Sequence, residues 1–187
     1  MVINEQGLLR AMKEAYKADG YEIECVAIGS MTEIHLETSR WYVNCEIKNL
    51  PRKVLGLIAE HLGELPQTGQ CFQVKKKETQ TKILGENRKA FCGVTPEDCI
   101  SPPRIYKTNL VYRYGNVWQL GRGNEVFWVD PALEDIMNFR EKANCLGSKC
   151  IHMSDAISGV SIAPIKAQTP EDMKVLEYLA GIRFAEK

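Results

Sequence analysis

The sequence contains no long hydrophobic run and nothing that resembles a secretory leader. None of its apolar stretches approaches the roughly 18 residues that a membrane-spanning helix requires. The first segment, MVINEQGLLR, lacks both the basic start and the apolar core of a signal peptide. We therefore expect a soluble, cytoplasmic protein that does not enter a membrane.

The chain also lacks an excess of charge of either sign. Its 187 residues include 24 Lys and Arg against 24 Asp and Glu, so the formal net charge is zero. This balance argues against a wholly basic nucleic-acid coat protein but permits a local basic patch. With 44% hydrophobic residues the chain can build a substantial core as one domain or two small ones.

Several catalytic and cofactor motifs are absent. The sequence has no HExxH and no CxxC, and it has only three histidines. The segment Gly121-Arg122-Gly123 lacks the third glycine of a phosphate-cradling loop and lies between predicted strands, so it is better interpreted as a turn. No motif therefore predicts a metalloprotease or a nucleotide-dependent enzyme.

Seven cysteines are present, an odd number that argues against a secreted disulfide scaffold. The pattern Cys92-x6-Cys99, followed by Cys145-x4-Cys150-x-His152, supplies soft ligands of the kind that zinc prefers. Both spacings are wider than the usual zinc knuckle, and the alternative is free thiols in loops and core. No cofactor is predicted, and zinc is the one that this pattern leaves open.

The segment from Arg40 to Gly63 carries the clearest structural signal. Apolar residues at 41, 43, 45 and 47 alternate with polar ones, which predicts a half-buried strand. Pro51 then suits the first turn of a helix, and Gly63 suits its end. With a helix before them and strands at 21–28 and 32–38, the first 65 residues predict the order α-β-β-β-α.

A second group of strands is predicted at 105–113, 117–120 and 125–129, followed by a helix that begins at Asp130-Pro131 and extends to Arg140. Residues 143–155 are predicted to form a loop, and Thr169-Pro170 begins a last helix. The fold class is therefore α+β, with mainly antiparallel sheet, helices packed on one face and two β-β-β-α halves as one alternative. We expect one domain, 1–187, with subdomains 1–66 and 105–187 joined by a basic hairpin as the alternative division.

That hairpin segment is the most basic part of the chain. Cations between residues 75 and 89 outnumber the two glutamates there; they are Lys75, Lys76, Lys77, Lys82, Arg88 and Lys89. Such a hairpin could bind the phosphates of a nucleic acid. The alternative is a solvated edge hairpin, where lysines discourage aggregation between strands.

Aromatic residues are concentrated on the second group of strands. If Tyr112, Tyr114 and Trp118 share one sheet face, they could line a groove for a peptide or ligand, because Tyr and Trp are favoured at contact sites. The alternative, which we favour, is that they form the core of the sheet itself.

Three functional hypotheses follow. The leading one is a non-enzymatic cytosolic binding or accessory protein that contacts a protein or peptide partner through a sheet face. The second is a nucleic-acid-binding protein that uses residues 75–89. The third is a small enzyme with a Cys/His site near 145–155, which predicts an activated thiol at Cys150 or a catalytic His152.

Overall fold

The computed structural model describes residues 1–82, 91–122, 125–138 and 142–183. These ranges form an eight-stranded and a three-stranded antiparallel sheet with four α-helices, which confirms the predicted α+β class. None of the helices in these ranges is long and apolar enough to cross a membrane. The strands are β1 (Tyr21–Ile28), β2 (Met31–Glu37), β3 (Trp41–Glu46), β4 (Cys71–Lys75), β5 (Glu78–Lys82), β6 (Ile105–Tyr112), β7 (Gly115–Leu120), β8 (Val126–Val129), β9 (Asn144–Leu146), β10 (Cys150–Ser154) and β11 (Ser158–Ile162).

The eight-stranded sheet takes strands from both ends of the chain. Its order is β5-β4-β1-β2-β3-β11-β10-β9, and all of its pairings are antiparallel. The two segments 1–66 and 105–187 are joined directly, because β3 pairs with β11. The basic hairpin β4-β5 forms one edge of this sheet.

Two helices, α1 (Glu5–Lys17) and α2 (Arg52–Leu62), bury their apolar sides in the main core. The side chain of Asn4 caps α1 by accepting the N–H of Gln6 at 3.2 Å. Gly63 ends α2 in the left-handed region, with φ of 86°, as its place in the sequence predicts. The alternation of strands β1–β3 directs side chains such as Ile23 and Val43 toward these helices.

The three-stranded sheet has the order β6-β7-β8 and carries different contacts on its two faces. Trp118 of β7 is buried in the main core, whereas its neighbour Val117, paired with Trp128, belongs to a second cluster. The short α3 (Pro131–Glu134) follows β8, and α4 (Pro170–Ala180) packs on the second cluster.

Two details of the predicted fold are wrong. Residues 143–155 are not a loop but the hairpin β9-β10, because Gly147 and Ser148, with φ of 54° and 52°, form a tight turn between them. The helix from Pro131 ends at Glu134 rather than continuing. Beyond it, the chain pairs with the N-terminal segment, through a bridge between Ile3 and Met137, and that pairing competes with further helical turns. Residue 140 lies outside the described ranges.

Candidate functional site

Strand β6 is the edge of the three-stranded sheet, and its first residues also pair with a second segment. The N–H of Ile105 donates to the carbonyl of Ala143 at 3.1 Å, and Arg104 forms an isolated bridge with Asn144. Further along β6, the register with β7 shifts between Lys107 and Val111. Such bulges bend a strand and re-aim its side chains, and a cavity lies beside this part of β6.

The first cavity has a volume of about 610 Å³. Ile105 and the buried Trp118 contribute apolar surface, and Arg104, Lys107 and Lys142 contribute cationic groups. No carboxylate is among the described residues that line it. Its volume lies within the range of about 300–1,000 Å³ that is usual for small-ligand sites.

A buried carboxylate holds several of the side chains that line this cavity. Glu134 is only 4% exposed, and it accepts hydrogen bonds from Asn116 Nδ2 at 2.7 Å and from the Trp118 indole N–H at 3.1 Å. It also forms an ion pair with Lys107. Because all three of these donors line the first cavity, Glu134 fixes the positions of Asn116, Trp118 and Lys107.

A second cavity of about 540 Å³ adjoins the first and shares Arg104 and Tyr106 with it. Arg122 is a further cation that lines this second cavity. Arg183 donates a hydrogen bond to the carbonyl of Gly121, another lining residue, at 2.9 Å. A Cβ on Gly121 would lie 2.4 Å from the Tyr106 ring, so only glycine permits this contact. We call the two cavities, with Arg104, Tyr106, Lys107, Arg122 and Lys142, the cationic cleft.

Among the described residues, three of the cations in the cleft have no acidic partner. Within the part of the chain that the structure describes, no carboxylate forms an ion pair with Arg104, Arg122 or Lys142. By contrast, Arg10 and Arg40 on other surfaces each pair with an aspartate. Guanidinium groups match carboxylate and phosphate geometry, so the cleft is chemically suited to an anion.

The cleft was not predicted from the sequence, although the sequence contains a signal for it. From Cys99 to Asn124 there is no Asp or Glu, while Arg104, Lys107, Arg113 and Arg122 all fall in this stretch. The denser lysines at 75–89 were predicted as the phosphate-binding site instead. Lys142 could not be assigned to the cleft in advance, because only the pairing beside β6 brings it there.

The lysine-rich hairpin lies at an edge of the eight-stranded sheet. Lys76 and Lys77 form its exposed tip, Lys75 is half-buried at the end of β4, and Lys82 ends β5. The structure thus brings the three consecutive lysines together, whereas the predicted residues Arg88 and Lys89 lie outside the described ranges. Nucleic-acid binding by this hairpin stays a prediction.

The three aromatic residues of the predicted groove do not share one face. Tyr112 stacks on Trp128 with ring centroids 5.4 Å apart, and Tyr114 meets the same indole edge-on at 5.5 Å. Both tyrosines pack around the second cluster beneath α4, while Trp118 points to the opposite side, where it is 1% exposed. A groove that requires all three on one surface is not formed.

The cysteine pairs do lie at one corner of the molecule. Lys149, which precedes Cys150, connects the segment around residue 150 to the segment 92–99. It donates to the carbonyl of Gly93, next to Cys92, at 2.9 Å and to Oδ2 of Asp98, next to Cys99, at 2.5 Å. Among the described residues, however, no group of three or more His, Cys, Asp or Glu side chains is arranged to hold a metal ion. Zinc at these residues stays the alternative that the sequence pattern left open.

The environment of Cys150 is the opposite of that of an activated nucleophile. Burial, together with the neighbouring thiols of Cys92 and Cys145, raises the pKa of Cys150 to about 12. Burial lowers the pKa of His152, whose Nδ1 lies 2.9 Å from the Ser161 hydroxyl. A reactive cysteine requires a thiolate, which this environment disfavours.

We therefore expect alkylation to separate the cysteines into two classes. In the native protein, iodoacetamide should modify the exposed Cys92 and Cys99, while Cys150 should react at least about a thousandfold more slowly than Cys99 because it is buried and protonated. Mass spectrometry of timed digests measures this ratio, and Cys99→Ser is the control that should remove a fast-reacting site. Comparable rates for Cys150 and Cys99 would contradict the structure and favour the enzyme hypothesis.

A further polar cluster lies on the eight-stranded sheet. His35 Nε2 lies 3.0 Å from Glu33 Oε2 and its Nδ1 lies 3.6 Å from Glu24 Oε2, and Asn44 Nδ2 donates to Glu33 at 3.1 Å. The side chain of His35 is only 12% exposed, and the cluster links strands β1, β2 and β3.

Comparison with known proteins gives no assignment for this arrangement. No protein-family model, no curated protein and no solved structure matches the chain.

Proposed function

We propose that this chain is a cytosolic binding protein that holds an anionic ligand in the cationic cleft. The observation that carries the proposal is the set of cations Arg104, Arg122 and Lys142, which have no ion-pair partner among the described residues, around adjoining cavities of about 610 and 540 Å³. A ligand bearing phosphates or carboxylates would supply the negative charge that the described lining residues do not. This deepens the hypothesis of a binding protein that acts through a sheet.

The apolar surface of the cleft supports binding rather than simple ion attraction. Val111, which is 69% exposed, lines the first cavity beside the cations, and Tyr106 lines both cavities. A site with apolar surface and a few convergent charged groups is the usual form of a small-ligand pocket.

Titration with inorganic tripolyphosphate tests the proposal by calorimetry at low ionic strength. Arg104→Gln should weaken binding about tenfold, equivalent to about 1.4 kcal/mol, because Arg104 contributes to both cavities. Lys142→Gln should weaken binding less, because it lines only one cavity.

Lys17→Gln is the matched control, since Lys17 is an exposed cation on α1 that lines neither cavity. The Lys17→Gln variant should bind tripolyphosphate with the same affinity as the unmodified protein. If tripolyphosphate does not bind at all, or if Lys17→Gln and Arg104→Gln weaken it equally, the cleft is not the anion site.

A further inference from the structure

Cations line both of the cavities that share Tyr106. Lys107 and Lys142 belong to the first cavity, Arg122 belongs to the second, and Arg104 and Tyr106 belong to both. A single small anion would occupy one cavity and leave the cations of the other without a partner. The arrangement suits a ligand that carries several negative charges along its length.

The Tyr106 side chain lines both cavities. Its ring packs against Gly121, where a Cβ would lie 2.4 Å from Cε2, and the side chain remains half-exposed to both cavities. A phenol ring held at the junction of two anion sites can stack on a flat group of the ligand. An acidic peptide offers no such group at regular intervals, whereas every nucleotide does.

We propose that the cationic cleft binds single-stranded nucleic acid, with phosphates on its cations and a base stacked on Tyr106. The proposal rests on the anion-binding function above and names its ligand class. Stacking platforms set within a positively charged groove are a general means of holding single strands without strong sequence preference. The zero net charge of the chain is compatible with this, because the attraction is local to the cleft.

Fluorescence anisotropy with labelled dT15 and rU15 tests the proposal, and inorganic polyphosphate serves as a polyanion without bases. Tyr106→Leu should weaken oligonucleotide binding about tenfold and leave polyphosphate binding unchanged, since it removes only the ring. The triple variant Arg104→Gln, Arg122→Gln, Lys142→Gln should weaken both ligands. It should also lower the salt slope for the oligonucleotides by about 2, as expected for three lost phosphate contacts.

The matched control removes three positive charges elsewhere, as Lys75→Gln, Lys76→Gln, Lys77→Gln at the tip of the lysine-rich hairpin. Oligonucleotide binding that survives this change but not the triple change in the cleft supports the proposal. Binding lost only in the hairpin variant would overturn it and favour the hairpin.

Other outcomes separate the ligand class from the anion-binding function. If polyphosphate binds through the cleft but neither oligonucleotide does, or if Tyr106→Leu leaves oligonucleotide binding unchanged, nucleic acid is the wrong ligand and anion binding stands. If polyphosphate also fails to bind at low salt, both the nucleic-acid proposal and the anion-binding proposal are wrong. A preference for rU15 over dT15 would identify RNA through contacts to its 2′-hydroxyls.

Discussion

Replacing Gly7 with alanine is expected to destabilise the protein by about 3 kcal/mol or more. Gly7 lies in α1, and a Cβ there would meet the backbone carbonyl oxygen of Asp135 at 1.9 Å and the nitrogen of Ile136 at 2.8 Å. Backbone atoms cannot rotate away, so α1 must shift from the segment that follows α3, and overpacking of this kind is strongly destabilising. Urea unfolding should show a midpoint lower by about 1.5 M, for a slope of about 2 kcal/mol/M.

Gly56→Ala provides the matched control, because Gly56 also lies within a helix, α2, but has no atom within 4 Å of its added Cβ. That change should raise the free energy of unfolding by about 0.5–1 kcal/mol, since alanine is the better helix former. Equal midpoints for the two variants would mean that α1 does not approach Asp135 as described.

The second large effect is expected at Glu134. Glu134→Ala should lower the free energy of unfolding by about 2–4 kcal/mol, because it removes the hydrogen bonds that Glu134 accepts from the Trp118 indole N–H and the Asn116 amide and leaves a void beside them. Urea unfolding monitored by tryptophan fluorescence gives both the stability and the change around Trp118.

Glu125→Ala is the control for Glu134→Ala, since it removes an exposed carboxylate that bonds only the Ser148 hydroxyl among the described contacts. It should change the stability by less than about 1 kcal/mol. Glu134→Gln, which keeps one oxygen acceptor, should fall between the two. A loss at Glu134→Ala no larger than that at Glu125→Ala would show that the buried network contributes little.

Much of the fold could be predicted because half-buried strands reveal themselves by alternation. Residues such as Ile23 and Val43 mark the inward face of β1 and β3, and their spacing of two is visible without a structure. The three-residue strand Asn144–Leu146 is too short to show any period, and only its pairing with β10 makes it a strand. That is why the segment 143–155 was interpreted as a loop.

Which side chains share one face of the three-stranded sheet was harder to predict, because that depends on the register between its strands. The turn at 113–114 pairs Tyr112 with Gly115, which sets Val117 on the same face as Tyr112 and Trp118 on the other. Sequence spacing alone could not establish that pairing. The cationic cleft depends in the same way on the bridge between Arg104 and Asn144, which connects parts of the chain that show no pattern in common.

The pairing of β3 with β11 affects how the chain folds while it is being synthesised. Trp41 pairs with Ile162, so one edge of β3 remains unpaired until a strand 121 residues further along the chain has been synthesised. At about 5–20 residues per second, that interval is roughly 6–24 s. Until it ends, the N-terminal hairpins present an unpaired strand edge that can pair with another nascent chain. Translation speed and the chaperones that shield new chains should therefore influence how much of this protein reaches its native state.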